Sequence, residues 1–401
     1  MNAFSFIFGG RIYSIQEVLD YVQEEDVKFV RLAFFDLFGK QKNVSIMSSQ
    51  LERAFTTGIS FDASAVSGFE TPEKSDLFLF PDPQTLSVLP WRPNTGKVVR
   101  MFCTIQTPDG EIYKNDCRSI LKKAVKTLKS ECNIELSFGS EVEFYLFKLD
   151  ENGNPSKIPF DNAGYMDIAP EDHGENIRRD ICFTLEQMGI TPESSHHEEG
   201  PGQNEIDFHY SDAVTAADDA QTFKWVVRTK AYASGLYADF SPKPLKDKAG
   251  SGMHINISCS DESKMKNVLA GILKHIEEIT YFLNPVENSY DRLGECKAPK
   301  YICWGEENRS ALIRLPASKL GKRLEIRSSD PECNPYIAYS LIIYAALDGI
   351  KNNLLPPPPV EVNLFDDESA VLKKLKTLPD TLDSAKNLAF ESEFVKKILS
   401  L

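Results

Sequence analysis

At 401 residues, with 42% apolar and 26% charged side chains, the chain is long enough for two domains with substantial cores. Its formal net charge of −14 excludes a general nucleic-acid binder, which needs a basic face, but not a site where a few arginines hold one small phosphate ligand. The eight cysteines are scattered and none forms a CxxC pair, which argues against zinc or dithiol chemistry and for reduced thiols in the cytoplasm.

In chain order, the FSFIF patch within Met1–Gly10 lacks the basic flank and the length of a signal peptide. Ile15, Val18, Leu19 and Val22 recur at helical spacing. Lys28 to Phe38, Val44 to Ile46, Leu77 to Phe80 and Thr85 to Leu89 read as strands. These make a small α+β domain over 1–110, leaving 111–401 as a larger second domain. There, helices are predicted around Ile120–Leu128, over Glu175–Met188 with Gly189 as the stop, over Ala216–Leu236, and from Asn334 as cap with Pro335 first in the helix. The apolar stretch Tyr336 to Leu347 is too short to span a membrane, and Pro356–Pro359 predicts a stiff polyproline connector.

Four predicted strands between these helices carry charged residues on one face, because alternate side chains point the same way. Glu141 and Glu143 share a face in the first, and Gln203, Glu205 and Asp207 in the second. Gly252, His254, Asn256 and Ser258 share a face in the third, and Arg323, Glu325 and Arg327 in the fourth. One such strand alone reads as a solvated sheet surface. Four together, nearly all Glu, His and Arg, are better explained by a sheet whose polar face lines a cavity. The His196-His197-Glu198 loop alone reads as a surface cluster, but the Gly200-Pro201-Gly202 turn after it brings Glu198 back towards Glu205. Crowded carboxylates repel and favour a cation between them. Glu141, Glu143, Glu198, Glu205, Glu325 and His254 suit two hard divalent ions, Mg²⁺ or Mn²⁺, better than structural zinc. Arg292, Arg309, Arg314, Arg323 and Arg327 fit a clamp for phosphate or carboxylate, although any one of them also reads as a plain salt-bridge partner. Metals with several arginines point to phosphoryl transfer.

The motifs FGSEVEF, HHEEGPGQNEI, KPLKDKAGSGMHINIS, NSYDRL, NRSALIRLP and RLEIRSSDPECNPY resemble, in order, the signatures of type I glutamine synthetase, from about Phe61 to Tyr336. The final SEFVKKIL resembles that family's C-terminal helix. The resemblance implies an α+β fold: an N-terminal β-grasp domain and a large catalytic domain with a curved antiparallel sheet packed on helices, as in guanidino kinases. It implies an ATP-dependent ligase that activates the glutamate γ-carboxyl for ammonia or another amine. One ion would be held by Glu143, Glu198 and Glu205, the other by Glu141, His254 and Glu325. Gly250 and Arg292 would bind glutamate, with Arg327. Arg309 and Arg327 would stabilise the transferring phosphoryl group. Asn256, Ser258, Arg314 and Arg323 would bind ATP. Asp62 would enter a neighbouring subunit's site in a dodecamer of two hexameric rings, with no nucleic-acid or membrane partner. No family-typical Tyr stands in Leu354–Pro379, so adenylylation is not expected.

Three departures fall at the acceptor end. Lys297 stands where the family has a flap Glu, Ala249 where it has Asn, and Ala65 where it has Ser. Lys297 is therefore expected to repel ammonium. This leaves three readings: a ligase for another amine, an ordinary glutamine synthetase with a variant flap, or a catalytically silent paralogue with a structural or binding role.

Overall fold

The computed structural model describes residues 13–93, 95–319, 321–365 and 372–399, so the FSFIF patch lies outside it. The chain divides into two compact units, the first comprising 1–120 with 184–190 and the second the remainder.

In the first unit, α1 (Ile15–Glu24) opens on a capping box in which Ser14 and Glu17 satisfy each other's backbone N–H. It is followed by β1 (Val27–Phe35), β2 (Gln41–Met47), α2 (Leu51–Thr56), β3 (Ile59–Asp62), β4 (Asp76–Pro81), β5 (Ser87–Val88) and β6 (Lys97–Gln106). The sheet order is β2-β1-β6-β4-β3, with β1 parallel to β6 and β5 added to β6. Its core is built from Val18, Val30, Leu32, Leu79, Val99 and Met101. β1 stops at Phe35, short of the predicted Phe38, because Asp36 turns the chain by accepting from the N–H groups of Phe38 and Lys40. The strand predicted over Thr85–Leu89 shrinks to two residues, because Pro83–Thr85 forms a 3₁₀ turn capped by Asp82.

Then come α3 (Cys117–Cys132), β7 (Leu136–Leu149), β8 (Pro155–Pro159), α4 (Glu175–Gln187), β9 (Pro192–His197), β10 (Gln203–Phe208), β11 (Ser211–Asp212), α5 (Ala213–Ala233), β12 (Leu236–Asp239) and β13 (Met253–Cys259). α6 (Met265–Leu283), α7 (Glu287–Tyr290), β14 (Trp304–Glu306), β15 (Ile313–Leu315), β16 (Leu324–Ile326), α8 (Pro335–Lys351), α9 (Leu382–Glu391) and α10 (Glu393–Leu399) complete the described elements. The second unit's sheet runs β14-β15-β16-β13-β7-β10-β9, with β8, β11 and β12 also paired to β7. It is antiparallel except for the parallel pair β14–β15. Asn334 caps α8 through Tyr336 N–H with Pro335 first in the helix, as the sequence predicts. Helix α5 starts earlier than expected, at the Asp212 cap. It ends before Gly235, whose φ of +72° turns the chain so that Leu236 begins a strand instead. The proline run has no regular element, and the Pro357 carbonyl accepts from the Trp304 indole at 2.7 Å.

The apolar face of this sheet packs on helices through buried aromatics, with Phe138 stacked on Tyr339 at 4.5 Å and Phe144 edge-on to Phe223 at 6.1 Å. Beneath, α6 and α8 cross at Gly271 and Gly349. A Cβ on Gly271 would lie 2.1 Å from the Ala345 carbonyl oxygen, and one on Gly349 2.1 Å from that of Asn267. Backbone cannot yield as a side-chain tip can. Gly271→Ala and Gly349→Ala are therefore each expected to destabilise the protein by about 1–3 kcal/mol in denaturant unfolding, the ordinary cost of overpacking.

Candidate functional site

Strand β7 is the axis of the site. It pairs with β10 so that Glu143 faces Glu205 and Glu141 faces Asp207, and with β13 so that Glu141 faces His254. On the far side of β13, Asn256 faces Glu325 on β16, and Arg314 on β15 faces Glu325 in turn. His196 on β9 faces Glu205. All these residues share one face of one sheet, and directly opposed like charges destabilise a sheet unless something compensates them.

Compensation differs from one carboxylate to the next. Glu143 Oε2 accepts from Gly252 N–H at 2.8 Å and from the Gln203 amide at 3.1 Å. Glu141 lies 3.3 Å from His254 Nδ1 and accepts from the Asn256 amide at 2.8 Å. Burial works against ionisation of Glu141, but these bonds and Arg327 outweigh it and hold its pKa at about 2. Glu325 is buried, accepts from Arg314 Nη1 at 2.8 Å and is also bonded by Arg327. Burial raises its pKa, but Arg327 and His254 more than reverse that. His254 is pushed down by burial and by Arg327, yet Glu141, Glu143 and Glu325 leave it above its usual value.

Among the described residues, the group beside the carboxylates on the β9–β10 side is a histidine, His196, rather than an arginine. Burial, then Glu143, raises Glu198 to about 7. Burial, then Glu143, Asp207 and Glu141, pushes Glu205 well above the carboxylate range. Burial and Glu141 carry Asp207 to about 6, despite its bond from Ser194. His196 Nε2 lies 3.3 Å from Glu205 and its Nδ1 3.6 Å from Glu198.

Among the described residues, the oxygens and nitrogens of Glu143, Glu198 and Glu205 come within 4.8 Å of one another, as do those of Glu141, Glu205 and His254. The first set is the predicted one. The second holds Glu205 in addition to two of the predicted residues; the third predicted residue, Glu325, lies 3.8 Å from His254 and is engaged by two arginines. His196 and Asp207 form a third grouping with Glu205, which the sequence reading places near the site but gives no role. The buried grouping Asp161, Asp172 and His197 is already saturated by Arg178 and backbone N–H donors, and offers an ion little.

The remaining predicted residues are dispersed around this face. Arg292 is buried, held by the carbonyls of Ser328 at 2.7 Å and Arg327 at 3.2 Å. Gly250 and Gly252 let it approach, since a Cβ on either would lie within 2.8 Å of an Arg292 atom. Arg323 is exposed and donates to Asn256 at 3.1 Å, and Ser258 lies two residues further along β13. The exposed Arg309 offers its carbonyl to Arg327 at 3.0 Å. The Ala249 carbonyl accepts from Tyr145 at 2.6 Å. Lys297, expected at the acceptor end, has a side chain that is 65% exposed and ion-paired with Glu199. In the first unit, Asp62 is exposed at the end of β3, bonded by Ser64 N–H at 2.9 Å and Ser64 Oγ at 2.6 Å, with Ala65 exposed beside it. Tyr165, whose ring meets His196 edge-on at 5.5 Å, escapes a strand-by-strand reading because it comes from an irregular loop.

Comparison with known proteins matches this arrangement along its length. The glutamine synthetase β-grasp domain profile matches residues 26–108, and the glutamine synthetase catalytic domain profile matches residues 114–401. The glutamine synthetase of Methanosarcina mazei is 44% identical, over 96% of this chain and 90% of its own. That of Clostridium saccharobutylicum is 43% identical, over 96% and 91%. A solved structure titled GmaS/ADP complex superposes with a TM-score of 0.87 at 26% identity, over 95% of this chain and 92% of that one. The cryoEM structure of Plasmodium falciparum glutamine synthetase, 23% identical, shares the fold with a TM-score of 0.83, over 98% and 95%. Fold and site together define a β-grasp domain joined to a catalytic domain with a carboxylate-lined sheet. The chain belongs to the glutamine synthetase family.

The raised carboxylates set a pH dependence. In the folded, metal-free protein Glu198 keeps a proton that the unfolded chain sheds near 4.5, so its contribution to stability is lost as pH rises through about 7. Glu205 acts in the same direction. Thermal unfolding in a chelator is expected to show lower stability at about pH 8 than at about pH 6. Mn²⁺ should narrow the gap, and Glu198→Gln should make the metal-free fall shallower.

Proposed function

We propose that the chain is an ATP-dependent glutamate–ammonia ligase. It phosphorylates the glutamate γ-carboxyl and transfers the acyl group to ammonia, giving glutamine, ADP and phosphate. The observation that carries this is the opposition of Glu141 and Glu143 to His254 and Glu205 on one sheet face, with Arg314, Arg327 and Arg292 beside it. Relatives named glutamine synthetase at 43–44% identity over nearly the whole chain favour this reading over a silent paralogue, and a neighbour solved with ADP supports a nucleotide site.

Five carboxylates and an imidazole fit hard divalent ions, Mg²⁺ or Mn²⁺, and the uncompensated Glu198 and Glu205 need positive charge. Glu143, Glu198 and Glu205 would hold one ion. Glu141 and His254 would hold a second, joined by Glu325 once Arg314 and Arg327 turn to substrate. Such ions offset negative charge where ATP phosphates and the γ-carboxylate converge.

A carboxylate is a poor acyl donor because its oxygen leaves badly, and phosphorylation supplies a better leaving group. Arg327, next to Glu325 and anchored by the Arg309 carbonyl, is placed to stabilise charge on the transferring phosphoryl group, with the Arg309 side chain assisting. Arg314, Arg323, Asn256 and Ser258 are assigned to ATP. Arg292, a buried guanidinium bonded to two carbonyls, takes a substrate carboxylate beside Gly250. Ammonia then attacks the acyl carbon and the tetrahedral intermediate expels phosphate. The direct assay is ATP- and glutamate-dependent phosphate release with ammonia, scored with glutamine formation. Wild type is expected to be active and Glu143→Ala inactive. Lys297→Ala should stay within about threefold of wild type, since an exposed ion pair contributes little. A large loss would return the Lys to the chemistry.

Asp62 is assigned to the ammonium site of a neighbouring subunit, within a homo-oligomer of two six-membered rings. Its bonds from Ser64 lower its pKa and keep it ionised. Mixed particles of Asp62→Ala and Glu325→Ala subunits are expected to regain activity that neither parent has. A fully active monomer in light scattering and assay would exclude the shared site.

A further inference from the structure

Behind the site, on the reverse face of β9 and β10, lies a polar network to which nothing above gives a function. His197, fully buried, pairs across the strands with Asn204. Its Nδ1 lies 2.6 Å from the Glu198 carbonyl oxygen, and its Nε2 lies 2.9 Å from Asp161 Oδ1. A carbonyl only accepts, and so does an ionised carboxylate. Both ring nitrogens of His197 therefore have an oxygen within hydrogen-bond distance. Asp161 is fixed in turn by the N–H groups of Gly202 at 2.9 Å and His173 at 3.1 Å. Next to it, Arg178 Nη1 donates to Asn204 Oδ1 at 2.6 Å and to Asp172 at 3.1 Å, and the Asn204 amide donates to the Gly202 carbonyl at 2.9 Å.

We propose that His197, buried between Asp161 and the Glu198 carbonyl, is a positioning residue that sets the Glu198 backbone and so aims its carboxylate at the metal site. Arg178 does the same for Glu205 through Asn204. Each carboxylate supplied by the β9–β10 hairpin follows a reverse-face residue held by this network. Between them the turn is pinned at its start by His197 and at Gly202 by Asp161 and Asn204. Replacing His197 removes the bridge between Asp161 and the Glu198 carbonyl, and the turn loses its anchor at that end. This inference rests on the metal-dependent reading, so its test must separate the two.

Binding of Mn²⁺ alone to the full chain, without nucleotide, can be followed by loss of the free-ion electron paramagnetic resonance signal. His197→Gln and Asp161→Asn keep size and polarity, and are expected to weaken Mn²⁺ binding by about 10–100-fold, the usual effect of removing a group that orients a ligand. Tyr336→Phe, which removes an equally buried hydrogen bond to Asp218, supplies a control for general destabilisation. It should lower the melting temperature without moving Mn²⁺ affinity. Affinity within about twofold of wild type in a folded His197 or Asp161 variant overturns the proposal, as does equal loss in the control. No Mn²⁺ binding by wild type sinks the metal reading itself and the positioning role with it.

Discussion

The opposition of Glu141 and Glu143 on β7 to Asp207 and Glu205 on β10 is the constraint on which the catalytic unit turns. A sheet gains nothing from facing carboxylates, and here each is largely withdrawn from water. The arrangement persists because the other face of the same strands is a deep apolar layer. Val142, Phe144 and Ile206 are fully buried there against helices, and shifting the register by one residue would exchange the faces. Hydrophobic burial thus holds the charges in opposition, and the charges create the demand for cations that the site uses.

Compensation is divided along the sheet. On the β13–β16 side the protein carries its own cations: Arg314 and Arg327 at Glu325, and His254 at Glu141. On the β9–β10 side the nearest candidate is His196, which leaves Glu198 and Glu205 with raised pKa values. On the β13–β16 half of the face, an arriving anion would compete for the arginines and free Glu325 for an ion. The other is prepared for a metal, whose arrival would displace protons. A reaction that brings a metal-bound nucleotide to a carboxylate substrate calls for both halves.

Much of this was legible in the sequence because strand alternation is a rigid rule. Once Glu141, Glu143, Glu205, His254 and Glu325 fall on strands, their shared face follows from parity. The cap at Asn334-Pro335 was equally local. What parity cannot give is the partner of each charge. The engagement of Glu325 by two arginines depends on β15 arriving beside β16, and the pairing of Lys297 with Glu199 joins two loops far apart in the chain. A charge considered by itself, as at Lys297, omits the neighbour that bears on it. Asn204 gave a usable warning: an amide on the face that carries Ile206 and Phe208 must find buried partners. The sequence does not say that they are Arg178 and Gly202.

The two faces of the hairpin answer different demands with the same backbone. On the front, Glu198 and Glu205 need freedom from fixed cations so that an ion can enter. On the back, a mobile turn would let them relax apart and relieve their repulsion before any ion arrived. There His197 joins the Glu198 carbonyl to Asp161, and Arg178 joins Asn204 to Asp172, with the sheet between them and the front carboxylates. Each is paired with an aspartate, which keeps it on its own side. The two carboxyl groups are thereby held within reach of one another rather than dispersed by rearrangement. Held in that way, the hairpin would meet a cation without first having to order itself.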